Sequence, residues 1–419
     1  MCQTTPVRPH MKHIEANDPD VHRLILREEE RQACSLTLIA SENHSSKAVR
    51  EAMASHLTDK YAEGYPGRRY YGGCEVGDDV ERLARDRAKE LFGAGYANVQ
   101  PHSGTQANIA AYLAMMQPGD RLLGMALNAG GHLSHGFSRS HTGQLFEAAS
   151  YGLDESTGLI DYAALEKLAQ EHEPKVIVAG GSAYPRLVDW QRIRAIADAV
   201  GAKLMADIAH PAGLIAGGLI PSPVGIAHVV TMTTHKTLRG PRGGMILTNE
   251  DDLKQPLNSS VFPGGQGGPF LNAIAAKAIA FGEALQPAFK DWGRQVIANA
   301  QALGVALVER GLDLVTGGTD THLVLVDLRA KDMSGRDAEE LCLQANLVVN
   351  KNLIPGDPRK AMETSGLRLG TPAVTTRGMK EDHMVELADA IDRLLTGGES
   401  EVAGVREKIS ALASDLPLP

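Results

Sequence analysis

Short apolar runs alternate with amphipathic helical patterns between about residue 155 and residue 250, and this alternation restricts the possible folds more than any other feature. Asp161 can cap a helix in which Leu165 and Leu168 recur on one face, and Val176 to Val178 follow as a buried strand. Short strands separated by single helices are typical of a mostly parallel sheet that helices cover on both faces. The sequence therefore predicts an α/β fold.

Polar side chains follow the ends of these strands. Ser182, Asp207, His210 and Lys236 each come at or just after a predicted strand end. Ligands of parallel sheets collect at the carboxyl ends of the strands, so we expect a small-molecule site there.

The rest of the chain suggests three parts. Asp18-Pro19 predicts the start of a helix, and the stretch from that helix to Tyr71 is rich in Tyr and Gly, which favours an irregular functional loop. Beyond the helical pattern that ends near residue 286, the run HLVLVDL predicts a strand of a smaller α/β unit. We predict an N-terminal helical arm and loop over 1–68, a large domain over 69–285 and a small C-terminal domain over 286–419.

Composition excludes several classes of partner. The formal net charge of −9 and the pI near 5.9 make nucleic acid and anionic membranes poor partners. The four cysteines include no CxxC pair, so we expect no metal centre. The first residues, which include Cys2, lack the apolar core of a signal peptide, and no later run approaches the roughly 18 apolar residues of a membrane span. A cytoplasmic enzyme that acts on small molecules is the expectation.

The segment TMTTHKTLRGPRGG, residues 231–244, carries the clearest chemistry. Its lysine, Lys236, follows a strand-like run and precedes a glycine-rich turn. A lysine desolvated in such a place has a lowered pKa and can form a Schiff base.

This segment is one of several that resemble serine hydroxymethyltransferases, in the order of that family and over nearly the whole chain. The others are LIASEN at 38–43, KYAEGYPGRRYYGG at 60–73, ANVQPHSGTQAN at 97–108, GGHLSHG at 130–136, GGSAY at 180–184, FPGGQGG at 262–268, GGTDTHLVLVDL at 317–328 and TSGLRLGTPAVTTRGM at 364–379. The resemblance implies a fold-type-I transferase whose large domain binds pyridoxal 5′-phosphate (PLP).

The resemblance also implies which residues hold PLP. Lys236 would carry the cofactor as a Schiff base, and Asp207 would pair with its pyridine nitrogen, which keeps the ring an electron sink. His132 would stack on the ring. The other implied contacts are small or polar residues near the phosphate and the phenolic oxygen: Ser103, Gly104, Thr105, Ser182, His210, Gly267 and Gly268, the last two from the neighbouring subunit.

The implied substrate contacts include Arg368, whose planar fork suits the amino-acid carboxylate. Ser41 would assist there, with Tyr61 from the partner chain, and Glu63 would transfer a proton. The implied catalytic residues are Lys236, Glu63, His235 and Tyr61, and Tyr71 completes the substrate contacts. The implied folate contacts are Glu63, Tyr70, Leu127, Gly131, Leu133 and Asn352, with Tyr71 beside them.

The activity that the resemblance implies is reversible transfer of the hydroxymethyl group of L-serine to tetrahydrofolate, which gives glycine and 5,10-methylenetetrahydrofolate. It implies a homodimer, or a dimer of dimers, with shared active sites.

Three positions depart from the family pattern: Ala129 stands where histidine is usual, Pro185 where serine is usual, and Phe270-Leu271-Asn272 where Leu-Met-His is common. Ala129 and the run GGSAYPR resemble the 2-methylserine hydroxymethyltransferase branch, which converts α-methylserine to D-alanine. That activity is the second hypothesis for the function, after serine hydroxymethyl transfer, and a folate-independent serine-type aldolase or threonine transaldolase is the third. A catalytically silent cofactor-binding protein on the same fold is a further alternative.

Overall fold

The structure, a computed structural model, describes residues 11–419; Cys2 and the first ten residues of the predicted N-terminal arm lie outside the described part. Its strands are β1 Leu36–Thr37, β2 Gly64–Tyr65, β3 Arg68–Arg69, β4 Tyr96–Asn98, β5 Arg121–Met125, β6 Glu147–Tyr151, β7 Val176–Ala179, β8 Lys203–Asp207, β9 Val229–Thr233, β10 Gly244–Thr248, β11 Asp313–Leu314, β12 Leu323–Asp327, β13 Leu347–Val348, β14 Asn350–Asn352 and β15 Gly366–Gly370.

The helices separate and cover these strands. They are α1 Lys12–Asn17, α2 Pro19–Cys34, α3 Lys47–Met53, α4 Glu75–Phe92, α5 Gly104–Met115, α6 His141–Leu145, α7 Tyr162–His172, α8 Trp190–Ala199, α9 Ala212–Ala216, α10 Lys254–Ser259, α11 Leu271–Ala284, α12 Pro287–Glu309, α13 Gly335–Gln344, α14 Pro372–Thr376, α15 Glu381–Gly397 and α16 Glu399–Asp415.

A seven-stranded sheet of order β4-β10-β9-β8-β7-β5-β6 forms the centre of the larger part. Strand β10 runs antiparallel to both of its neighbours, and the other neighbouring pairs are parallel. Successive residues of β7 enter different cores: Val176 and Val178 pack with α5, whereas Ile177 and Ala179 pack with Ile193 of α8. Both faces are therefore apolar and covered, which explains the continuous apolar runs in the sequence.

A four-stranded antiparallel sheet of order β11-β12-β15-β14 organises the C-terminal part. Helices α12, α13, α15 and α16 pack around its core. Strand β1 pairs in parallel with β13, and Leu36 and Leu38 are fully buried in the same core. The segment after α2 is thus anchored to the C-terminal part.

The stretch predicted to be irregular before Tyr71 contains a helix, so that prediction was wrong for residues 47–53. Ser46 caps α3 by accepting a hydrogen bond from the Val49 backbone N–H at 3.2 Å. Val49 is buried against Ala276 and Ala280 of α11. This packing stabilises a seven-residue helix that its own sequence would not hold in isolation.

The predicted α/β class with a mostly parallel sheet is confirmed, and the proposed division after residues 68 and 285 stays a prediction. Among residues 11–419 no helix combines the length and the apolar character that crossing a membrane requires.

Candidate active site

Four polar residues meet at the carboxyl edge of the main sheet. Strand β8 ends at Asp207, and Ser182 and Lys236 each follow a strand, β7 or β9, by three residues. With His210 they line a cavity of about 180 Å³. The cavity also reaches the N-terminus of α5, so the expected juxtaposition occurs at the expected edge.

Lys236 is buried, with an exposed fraction of 9%. Burial lowers its pKa to about 8; the carboxylate of Asp207 opposes the shift, and Arg368 adds to it. The backbone around the lysine is fixed, since its carbonyl accepts hydrogen bonds from Asn43 Nδ2 at 3.0 Å and from the Arg239 N–H at 3.1 Å. A substantial fraction of the amine is therefore uncharged at mildly alkaline pH, as a nucleophile requires.

Asp207 is a buried carboxylate in a ring of donors. Its Oδ2 accepts from Asn108 Nδ2 at 2.8 Å and from His135 Nε2 at 2.9 Å, and its Oδ1 accepts from the Ala209 N–H at 3.0 Å. Burial by itself would raise the pKa of Asp207, but the hydrogen bond from His135 and the nearby histidines lower it overall. The group is thus ionised at neutral pH and presents a fixed negative charge to the cavity.

His132 and His135 are arranged by a short helical turn, Leu133–His135. The His132 N–H donates to His135 Nδ1 at 3.2 Å, so the His135 proton belongs on Nε2, where it faces Asp207. His132 Nδ1 lies 2.7 Å from Ser134 Oγ, and burial lowers the pKa of His132 to about 4. The His132 ring is therefore neutral near pH 7.

The N-terminus of α5 forms one end of the cavity. Ser103 is its N-cap and accepts from the Gln106 N–H at 3.2 Å. Gly104 packs closely on β9, where a Cβ atom would lie 2.7 Å from Thr233 Cγ2. Ser103, Gly104 and Thr105 therefore place backbone N–H groups and two hydroxyls where an anion can bind.

Arg368 approaches the same edge from β15 of the smaller sheet. Its Nη1 donates to the Ser182 carbonyl at 2.7 Å and its Nε to Asn350 Oδ1 at 3.2 Å, and burial lowers its pKa to about 10. His210 Nδ1 lies 3.2 Å from His322 Nε2, a residue of the smaller part. The site is thus assembled from both sheets.

A second group of predicted site residues lies together but apart from Lys236. The Tyr61 and Tyr71 rings are 5.1 Å apart, and the Glu63 carboxylate raises the pKa of Tyr71. A Cβ atom on Gly267 would lie 3.3 Å from Glu63 Oε1, and one on Gly268 would lie 3.7 Å from Tyr61 Cε1. Among the described residues that line the Lys236 cavity, none belongs to this group.

The remaining predicted residues occupy the surroundings. Ser41 lines a larger neighbouring cavity of about 530 Å³, which shares His235 and Arg242 with the Lys236 cavity. Tyr70, Leu127 and Leu133 are exposed, and Asn352 on β14 donates to the Leu353 carbonyl at 2.6 Å. At Gly131 a Cβ atom would lie 2.1 Å from the Met125 carbonyl oxygen, so only glycine fits there.

Comparisons of the sequence with known proteins bear on the family of the chain. Residues 14–391 match the family model described as "Serine hydroxymethyltransferase". The chain is 55% identical over 408 residues to a serine hydroxymethyltransferase of Alkalilimnicola ehrlichii, with 97% of each chain covered. It is 57% identical over 405 residues to one of Idiomarina loihiensis, with 96% of this chain and 97% of the relative covered.

The chain belongs to the serine hydroxymethyltransferase family. The predicted family and the fold-type-I class are therefore confirmed, and the chain is an enzyme.

The residues present fit the cofactor that the family implies. A buried amine, Lys236, and a buried carboxylate, Asp207, share one cavity with the N-terminus of a twelve-residue helix. Asn108 Oδ1 and His235 Nδ1 are buried without a hydrogen-bond partner among the described atoms, as expected for a cavity that receives a polar ligand.

A metal ion is a different possible occupant. One ligand atom from each of His132, His135 and Asp207 lies within 4.8 Å of the others. These atoms already bond to one another and to Asn108 and Ser134. The absence of a metal centre stays a prediction.

Sequence reasoning missed Asn108, His135 and His322. Asn108 and His135 lie inside quoted motifs, and Asn108 follows Gly104 by one helical turn, which places it on the same face of α5. His322 is the first residue of the run HLVLVDL, which was interpreted only as a strand. Its proximity to His210 depends on how the two parts pack, and no local pattern encodes that.

Proposed function

We propose that the chain catalyses the reversible transfer of the hydroxymethyl group of L-serine to tetrahydrofolate, with PLP held by Lys236. The products are glycine and 5,10-methylenetetrahydrofolate. The observation that supports this most is the pairing of Lys236 with the ionised Asp207 in one cavity, within a family whose relatives carry this enzyme name.

Each cofactor contact has a physical basis. PLP, when bound, supplies an electron sink for the electron pair released as a bond to the substrate α-carbon breaks. Asp207 would keep the proton on the pyridine nitrogen, because its charge is fixed by His135 and Asn108. The N-terminus of α5 would hold the phosphate. His132 would stack on the ring, and Ser182 and His210 would lie near the phenolic oxygen.

The amino-acid carboxylate would bind to Arg368, with Ser41 nearby. Arg368 is suited to this role because its Nη1 and Nε atoms are already anchored, so that the guanidinium plane is fixed before the substrate arrives. Removal of this cation would leave the substrate charge without a partner in a desolvated site.

Tyr61, Glu63, Gly267 and Gly268 would serve the site of a second subunit. These residues lie beside one another and outside the cavity of the Lys236 in their own chain, which supports a homodimer with shared sites. Tyr61 has an exposed fraction of 57% in the single chain, an unusual value for a catalytic tyrosine that no partner covers. We propose that Glu63 exchanges the proton of the serine hydroxyl.

Folate would bind where apolar side chains remain exposed. Tyr70, Leu127 and Leu133 offer surface to a flat pterin ring, and Asn352 offers hydrogen bonds to its edge. The cytoplasmic location stays a prediction.

The experiment is an assay of purified protein with PLP, tetrahydrofolate and L-serine, with glycine and methylenetetrahydrofolate as readouts. A parallel reaction with α-methylserine tests for D-alanine, and one without folate tests for aldolase activity. We expect folate-dependent glycine formation to exceed both by at least about tenfold in kcat/KM. Comparable or faster turnover of α-methylserine, or glycine formation that does not need folate, would refute the proposal. The 2-methylserine alternative is not favoured, since relatives at 54–57% identity carry the serine enzyme's name.

A further inference from the structure

The loop that carries Glu63 rests on a buried arginine, Arg69. The Arg69 side chain has an exposed fraction of 3% and bonds to two carboxylates. Its Nε donates to Asp78 Oδ1 at 2.8 Å and its Nη2 to Glu81 Oε2 at 2.7 Å. Both acids belong to α4, so the arginine joins the loop to a long helix.

The same guanidinium also holds the backbone on both sides of Glu63. Arg69 Nη1 donates to the Ala62 carbonyl at 2.9 Å and to the Gly64 carbonyl at 2.8 Å. The carbonyl of Glu63 itself accepts from the Tyr70 N–H at 3.0 Å. Three consecutive carbonyls are therefore fixed, which leaves the Glu63 side chain one direction in which to leave the backbone.

The loop conformation needs this support. Gly64 has φ +96°, and a Cβ atom there would lie 2.4 Å from the Arg68 carbonyl oxygen. Pro66-Gly67 closes the β2–β3 hairpin, and the Gly67 N–H donates to Asp78 Oδ2 at 2.6 Å. Asp78 thus binds both the turn and the arginine, and the hairpin and Arg69 form one unit.

Gln100 links this unit to the segment before the α5 N-terminus. Its Nε2 donates to the Gly64 carbonyl at 2.9 Å and to Glu81 at 3.0 Å, and its carbonyl accepts from Gln266 Nε2 at 2.9 Å. Gln266 directly precedes Gly267 and also accepts from the His102 N–H at 3.3 Å. One network of hydrogen bonds therefore connects the segments that contain Glu63, Gly267 and Ser103.

We propose that Arg69 is a positioning residue, whose buried guanidinium sets the backbone around Glu63 and so aims the Glu63 carboxylate into the active site of the neighbouring subunit. This inference rests on the proposed function, in which Glu63 acts across the subunit interface. Lysine cannot replace the arginine, because one ammonium group cannot reach two carboxylates and two carbonyls in one plane.

Arg69→Lys is the test variant, because it keeps the charge and so limits the cost of leaving Asp78 and Glu81 buried. Arg82→Lys is the matched control, since Arg82 contacts the same Asp78 at 3.4 Å from the exposed side and, among the described residues, donates no hydrogen bond to the loop backbone. Amide hydrogen exchange of residues 61–65, measured without substrate, should rise on the order of tenfold in Arg69→Lys and stay unchanged in Arg82→Lys. Equal protection in both variants would overturn the proposal.

Kinetics give a second readout. Per bound PLP, Arg69→Lys should lower kcat with little change in KM for serine, because the residues that Arg69 contacts lie outside the Lys236 cavity that binds the amino acid. A loss that appears only as lower thermal stability, with kcat per bound cofactor unchanged, would show a merely structural role.

Mixed dimers distinguish action on the partner from action within the same chain. A dimer of one Arg69→Lys chain and one Lys236→Ala chain contains one site with intact Lys236 and an intact neighbouring loop. Its activity should therefore recover to about half that of the wild type if Arg69 acts on the partner's site, and no recovery would refute this. If the wild-type protein itself failed to turn over serine, the proposed function would be refuted. The comparison of amide hydrogen exchange between the two variants would still test whether Arg69 fixes the loop backbone.

Discussion

Asp207→Asn is the substitution for which the structure gives the clearest expectation. The side chains are nearly isosteric, but an amide replaces one acceptor with a donor. If the amide oxygen takes the place of Oδ2, the NH₂ group faces the Ala209 N–H and the cavity; if it is flipped, the NH₂ group faces Asn108 Nδ2 and His135 Nε2. His135 cannot adapt by changing tautomer, because its Nδ1 accepts from the His132 N–H.

Every arrangement of the variant therefore loses at least one hydrogen bond to an ionised group. In the proposed role of Asp207, the pyridine nitrogen of PLP also loses its ionised partner. A hydrogen bond to an ionised group contributes about 1.5–3 kcal/mol, so PLP affinity should fall roughly 10- to 100-fold. Turnover at saturating PLP should fall further, because the charge that holds the pyridine proton is gone. Titration of the apoprotein with PLP, followed by absorbance, gives the affinity, and serine turnover gives the rate.

The matched control is Asp357→Asn. Asp357 makes comparable hydrogen bonds, from Ser365 Oγ at 2.6 Å, the Ser365 N–H at 2.8 Å and the Arg359 N–H at 2.9 Å, but lies in the smaller part away from the cavity. It should lose thermal stability and keep its PLP affinity. Equal PLP affinity and equal turnover in Asp207→Asn and the wild type would refute the role given to Asp207.

Three further predictions follow from the site. Borohydride reduction of the PLP-loaded protein should label Lys236 and spare Lys277, the other buried lysine, whose amine is occupied by three backbone carbonyls at 2.6–3.1 Å; a label on Lys277 alone would contradict the assignment. Arg368→Ala should weaken serine binding by about 3–5 kcal/mol with a much smaller effect on PLP, measured by separate titrations, and unchanged serine affinity would count against its role. Burial lowers the pKa of His132 to about 4 and of His235 to about 3, so between these values and about pH 6.5 the folded apoprotein binds fewer protons than the unfolded chain. The stability of the apoprotein is therefore fully present above about pH 6.5 and is lost as the pH falls toward 4. A Tm that does not fall between pH 7 and pH 5 would contradict this.

The main sheet was predictable because its signals are local. Asp161 caps α7 by accepting from the Ala163 and Ala164 N–H groups, and β7 coincides with the apolar run from which it was inferred. The positions of Asp207 and Lys236 follow from the same pattern, since both come at strand ends of one parallel sheet.

The contributions of the smaller part were not predictable in this way. Arg368 reaches the Ser182 carbonyl across 186 positions of sequence, and His322 reaches His210 across 112. No periodicity encodes such contacts, so Arg368 was found only through a motif resemblance and His322 was not found at all. The helix α3 was missed for a related reason, because its stability comes from α11.

The departures from the family pattern acquire a physical interpretation in the structure. Ala129 is 7% exposed and packs in the main core, and it is not among the described residues that line the Lys236 cavity. Pro185 forms its hydrogen bonds through its carbonyl, which accepts from the Asp320 N–H at 3.0 Å and from Thr319 Oγ1 at 3.1 Å. These contacts do not need the backbone N–H that proline lacks. Phe270 stacks on His102 with ring centroids 3.9 Å apart.

All three departures therefore concern how segments pack around the site. A histidine at position 129 would have to displace core atoms, which costs about 1–3 kcal/mol in a well-packed interior. The effect of Ala129 on the site is indirect, through its neighbour Gly130, whose carbonyl accepts from the Ser182 N–H at 2.6 Å. Because the α-substituent of a bound amino acid would meet cavity atoms and not this buried methyl group, Ala129 gives no structural argument for an α-methylserine preference.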